Sequence, residues 1–244
     1  MRQLQTLLLC VLLCFSYVQS QTPVMSPPVL SARLGQSVIF NCDVGVKNNG
    51  ATAFLQQIPG ETPKLILYHH HTYSAPKYGP GISAAHFTST INSAGTVYQL
   101  LINNAEVKDT ALYYCEKWYD GPSRYVFSQS SKLIVNVDSY PKPSVSIFPP
   151  SSQDLAANTD RTFTCLIKNL TVGLTKVRWT MDGTGLGNGI QTSLPSRDSD
   201  NTFSLSSYLT LPVASLDQEK VYTCSIEQEG SSEVTSQGVK LSEC

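Results

Sequence analysis

Apolar and polar positions alternate along most of the chain. Val38, Phe40 and Cys42 interleave with Ile39 and Asn41, so one face is apolar and the other mixed. A period of two is the signature of a half-buried strand. Gly35-Gln36 supplies the turn before it. Further on, Tyr98, Leu100 and Ile102 alternate with Val97, Gln99, Leu101 and Asn103, which predicts a strand paired with Thr88–Ile91. Two more strands flank Ile58-Pro59-Gly60-Glu61, where Pro-Gly predicts a tight turn. The pattern is that of an all-β protein.

The same plan occurs twice. Each half has a cysteine, a core aromatic about 12 to 14 positions later, and then a Tyr-x-Cys. In the first half these are Cys42, Phe54 and Tyr113-Tyr114-Cys115; in the second, Cys165, Trp179 and Tyr222-Thr223-Cys224. A period of about 110 to 120 residues filled with short strands predicts two β-sandwiches in tandem. Asp138-Ser139-Tyr140-Pro141-Lys142-Pro143 separates them, and its prolines stop strand pairing. The first domain is read as 21–137, the linker as 138–142 and the second domain as 143–244.

Composition changes the picture little. Lys+Arg 17 balances Asp+Glu 18, so no basic surplus points to nucleic acid. The N-terminus changes it more. Arg2 followed by Leu7-Leu8-Leu9-Cys10-Val11-Leu12-Leu13-Cys14-Phe15 predicts a signal peptide over 1–20, cleaved before Gln21. No later run is long and apolar enough for a membrane span, so the mature chain is expected to be secreted. Of the 7 cysteines, Cys10 and Cys14 leave with the leader, and Cys42, Cys115, Cys165, Cys224 and Cys244 remain. Secretion makes disulfides the default, and an odd cysteine suggests an intermolecular bond.

Asp109-Thr110-Ala111-Leu112-Tyr113-Tyr114-Cys115 resembles the start of strand F in an immunoglobulin variable domain. Pro143-Ser144-Val145-Ser146-Ile147-Phe148-Pro149-Pro150 resembles the opening of a light-chain constant domain, and Ser204-Leu205-Ser206-Ser207-Tyr208-Leu209 its strand E. The terminal Ser242-Glu243-Cys244 is similar to the light-chain tail. The chain thus resembles an immunoglobulin light chain over essentially its whole mature length. A T-cell receptor chain would continue into a membrane span, which this sequence lacks. The resemblance implies tandem variable-type and constant-type immunoglobulin sandwiches. It implies intradomain bonds Cys42–Cys115 and Cys165–Cys224, and an interchain bond from Cys244 to a heavy chain. Tyr113 would be the corner tyrosine of the fold.

The sequence departs from the family pattern at three places. Phe54 stands where strand C usually has tryptophan. The joining motif Phe-Gly-x-Gly reads Phe127-Ser128-Gln129-Ser130, although glycines there allow positive φ in a bulged strand. His86 replaces the arginine that pairs with Asp109, which makes that ion pair conditional on pH. A short first loop, a long second loop (69–86) and the Phe-Ser-x-Ser motif together look like the sigma isotype of non-mammalian light chains.

By the same resemblance, Gln57, Pro63, Tyr114 and Phe127 face the variable domain of a heavy chain. Phe148, Ser204, Ser206 and Tyr208 face its first constant domain, with simple core packing as the alternative for Phe148. Antigen contacts are expected from Tyr73 and Tyr78 of the second loop, and from Lys117, Trp118, Tyr119, Asp120, Arg124 and Tyr125 of the third. Aromatic residues give large, rigid contact area at low entropic cost.

Chemistry has few candidates. His69-His70-His71 cannot readily converge on one metal ion, because successive strand residues point to opposite faces. No nucleophile motif, phosphate-binding glycine loop or paired acid is present, so no enzyme activity, metal or cofactor is expected. Asn169-Leu170-Thr171 is a glycosylation sequon. The reading is an antibody light chain of adaptive humoral immunity, secreted or held at the B-cell surface through its heavy chain. The alternative is a surrogate, non-rearranging light-chain-like subunit that assists assembly of an antigen receptor.

Overall fold

The computed structural model describes residues 22–120, 123–150 and 160–243. The expected leader over 1–20 and the expected interchain Cys244 lie outside the described residues, as do Gly121 and Pro122 of the third loop.

The first unit contains β1 (Val24–Ser26), β2 (Val29–Arg33), β3 (Val38–Asp43), β4 (Thr52–Gln57), β5 (Lys64–His69), β6 (Lys77–Tyr78), β7 (Phe87–Ile91), β8 (Val97–Ile102), β9 (Ala111–Tyr119), β10 (Arg124–Phe127) and β11 (Ser131–Asn136). The second contains β12 (Ser144–Phe148), β13 (Arg161–Leu170), β14 (Thr175–Met181), β15 (Thr184–Leu186), β16 (Ile190–Thr192), β17 (Ser196–Arg197), β18 (Phe203–Leu211), β19 (Val221–Gln228) and β20 (Val234–Lys240). In the first unit a sheet β1-β3-β8-β7 faces a sheet β2-β11-β9-β4-β5-β6, with β10 extending β9. The second unit has β12-β13-β18-β16, with β17 on β18, facing β15-β14-β19-β20. The predicted all-β tandem is therefore observed, and β7 pairs β8 in the expected way.

Alternation decides what each strand buries. Along β9 the buried and half-buried positions alternate without a break from Ala111 to Tyr119. Tyr113 and Cys115 turn inward to meet Phe40 and Cys42 of β3 and Phe54 of β4, all fully buried. The Tyr113 ring stacks on Phe40 with centroids 5.2 Å apart. Cys42 and Cys115 are bonded across the sandwich over a sequence separation of 73, and Cys165 and Cys224 over 59. Loops of that length are worth roughly 4 kcal/mol each on the chain-entropy account. Opposite the second bond Trp179 pairs with Cys224, and its indole N–H donates to the buried Ser207 Oγ at 3.0 Å. Phe54, in the corresponding place beside Cys115, fills the volume without that hydrogen bond.

The corner before β9 gathers several buried polar groups. The Tyr113 hydroxyl donates to the Asp109 carbonyl at 2.8 Å and accepts from the Gln56 amide at 2.9 Å. Burial pushes the Tyr113 phenol well above its ordinary pKa, so it stays a donor. The nearly inaccessible Asp109 carboxylate meets His86 Nε2 at 2.9 and 3.0 Å and accepts the Glu106 N–H at 2.8 Å. The His86–Asp109 contact expected from the sequence is thus formed.

Between the units the chain makes no strand from Val137 to Pro143. Tyr140 is buried there, its hydroxyl 3.2 Å from the Val135 carbonyl and 3.3 Å from that of Glu229. Gly230 admits this contact, since a Cβ would lie 2.7 Å from both the tyrosine oxygen and the Val135 carbonyl. Replacing Tyr113 with phenylalanine should lower stability by about 1 kcal/mol, because the Asp109 carbonyl loses its donor. Urea unfolding should show a lower midpoint at unchanged slope; an unmoved midpoint would mean that the corner bond contributes nothing net.

Candidate functional site

Two exposed faces and one cluster of loops carry the residues of interest. On the outer side of β4 and β9, Leu55, Gln57, Pro63, Tyr114, Phe127 and Ser128 line one hollow of about 270 Å³. The four residues expected at a pairing face are therefore brought together. Tyr114 points away from the core because β9 alternates, and its hydroxyl donates to Gln57 Oε1 at 3.0 Å. The Gln57 amide is held in turn by the Glu61 carbonyl at 3.0 Å. Phe127 is 54% exposed at the end of β10.

The segment after Phe127 bulges without glycine. Phe127 pairs with Glu116 and Ser131 with Tyr113, so the register slips by one residue between them. Positive φ angles do not occur at Ser128, Gln129 or Ser130. Instead the Ser128 hydroxyl accepts the Cys115 N–H at 3.0 Å and donates to the Gln129 carbonyl at 2.8 Å, while its own N–H meets the Cys115 carbonyl at 2.9 Å. A serine side chain stabilises the bulge that glycine would make by backbone freedom.

In the second unit Phe148, Thr164 and Tyr208 lie side by side across β12, β13 and β18. Phe148 is 51% exposed and Tyr208 39%, with Ser204 and Ser206 on the same outward face of β18. Phe148 is therefore not packed in the core.

At the far end of the first unit the loops are stitched together. Trp118 and Tyr125 pair across β9 and β10, their rings edge to face at 4.8 Å, and the Trp118 indole donates to Asp120 at 2.9 Å. Tyr125, Arg124, Asp120 and Tyr73 are exposed. The Asn48 amide donates to the Trp118 carbonyl at 2.9 Å, and Gly50 lies so close that a Cβ would sit 2.1 Å from that carbonyl oxygen.

Three expected contact residues are placed otherwise. Lys117 and Tyr119 are buried, because they fall on the inward phase of β9. Tyr119 donates to the Val44 carbonyl at 3.2 Å. Tyr78 is half-buried in β6 and packs on the core beside Leu67 rather than standing free in the loop. These residues support the loops at this end from beneath. The inward phase of β9 was readable in the sequence; a lysine on that phase was the misleading feature.

Comparison with protein families matches the immunoglobulin V-set domain over residues 25–136 and the immunoglobulin C1-set domain over 145–231. The chain carries an immunoglobulin V-set domain followed by an immunoglobulin C1-set domain. Such domains are typically binding modules of extracellular proteins, and they commonly pair with one another. Among the described residues no helix is long and apolar enough to cross a membrane.

Lys117 is the V-set domain's buried cation. Its ammonium donates to the Gly50 carbonyl and lies 4.9 Å from the centre of the Tyr98 ring. Burial lowers its pKa to about 8, against a smaller opposing pull from Asp120. Since the folded pKa is depressed, the unfolded chain holds more protons between about pH 8 and the ordinary lysine value. Stability should therefore rise with pH across that window, by on the order of 3 kcal/mol. Urea unfolding of the wild type and Lys117→Met at pH 7, 8.5 and 10 should show the wild type gaining relative to the variant as pH rises. Parallel pH profiles would refute a depressed pKa.

Proposed function

We propose that the chain is an antibody light chain, pairing with an immunoglobulin heavy chain and contributing loops to antigen binding. The observation that carries this reading is the presence of two aromatic faces on one chain. Tyr114 and Phe127 stand on the V-set face, and Phe148 and Tyr208 on the C1-set face. A half-exposed phenylalanine on each domain is what a pairing partner would cover. The exposed Tyr73, Arg124 and Tyr125 sit at the end of the V-set domain where immunoglobulin loops cluster.

The sigma-like isotype, secretion and the bond from Cys244 to the heavy chain belong to the same reading. In that reading the noncovalent faces provide affinity and Cys244 tethers the pair. The exposed third-loop residues favour antigen contact over the assembly-subunit alternative; variation of that loop among sibling transcripts supports the first, and one fixed loop the second.

Tyr114→Ala or Phe127→Ala should weaken association with a co-expressed heavy chain by about 2 kcal/mol while leaving the melting of the lone chain unchanged. Unchanged association with a lower melting temperature would make these residues structural. Cys244→Ser should release the chain on a denaturing, non-reducing gel but keep the pair intact under native conditions. Covalent attachment surviving in that variant would assign the link to another cysteine.

A further inference from the structure

Strand β13 alternates cleanly up to Ile167, then presents Lys168 and Asn169 both to solvent before Leu170 is buried. Its pairing with β18 slips at the same point. Ile167 faces Leu205 and Leu170 faces Phe203, so Lys168 and Asn169 together stand opposite Ser204. This is a β-bulge, which re-aims side chains at the cost of one ladder position. Asn169 takes φ 60°, a left-handed conformation that asparagine tolerates better than most residues. The backbone on its far side is fixed, because Leu170 is fully buried and the Thr171 N–H donates to Gln228 Oε1 at 2.6 Å.

Asn169-Leu170-Thr171 is the one Asn-x-Ser/Thr triplet in the sequence. A triplet in regular strand pairing would have its asparagine at the mercy of the sheet's alternation. Here the bulge holds it outward. We infer that Asn169 carries an N-linked glycan, attached through its side-chain amide, at the end of the C1-set domain nearest the V-set domain. The position follows from Gly173, a few residues on, where a Cβ would lie 3.0 Å from Ile58 Cγ2 of the V-set domain. Asn169 lies five residues along β13 from Thr164, roughly 16 Å from the Phe148–Tyr208 aromatics. A glycan there stands beside Ser204, at the end of the outward face of β18, and leaves the Phe148–Tyr208 aromatics open.

The inference rests on the reading of the chain as a secreted one, since only that route meets the transferase. The test is expression of the full chain in a eukaryotic secretory host, with intact mass and peptide mapping before and after an amide-cleaving glycosidase. The expected result is a secreted chain lacking 1–20, with a glycan mass on the Asn169 peptide and aspartate at that position after the enzyme. Thr171→Ala should abolish the modification and Thr171→Ser should keep it; the Thr171 backbone bond to Gln228 is available in both. A secreted, processed chain with unmodified Asn169 overturns the glycan and leaves the secretory reading intact. A chain retained in the cytosol with 1–20 uncleaved overturns both.

Discussion

A covalent bond between two facing sheets is the constraint from which each domain is built. Cys42 and Cys115 sit on central strands of opposite sheets, so their bond fixes the sheet separation at the middle of the core. Phe40, Phe54 and Tyr113 then pack around sulfur whose position is already set. Because β9 carries Cys115, its phase is also set, and with it the destination of every neighbour. Tyr113 must go in and Tyr114 out. The exposed aromatic face of β9 is thus a consequence of where one sulfur atom has to be.

The same phase explains how much could be read from the chain before its structure. Strands with strict alternation were legible because the cysteines label the inward positions. Tyr114, Gln57, Pro63 and Phe127 come together as expected, and β7 pairs with β8 as the alternation of Tyr98, Leu100 and Ile102 suggests. For Lys117 and Tyr119 residue type and strand phase point in opposite directions, and phase decides. A lysine two positions after a buried cysteine on an unbroken strand points inward whatever its charge. Tyr140 was missed for a different reason: it lies in a proline-flanked linker with no periodicity, and only the approach of Gly230 reveals its burial.

The serine at position 128 shows where family pattern and physics part. Glycine in the joining motif suggests that positive φ is required, yet the chain passes through the bulge with ordinary angles. A hydroxyl bridging the Cys115 N–H and the Gln129 carbonyl does the same job by bonding. In place of a glycine's freedom the backbone has a hydroxyl donor and acceptor.

The contact between Gly50 and Trp118 ties together two loops that lie far apart in the sequence. Any side chain at position 50 collides with the backbone of the third-loop hairpin, and the Lys117 ammonium ends on the Gly50 carbonyl. The two loops are therefore mechanically coupled rather than independent. A side chain at position 50 requires the backbone at Trp118 to move with it.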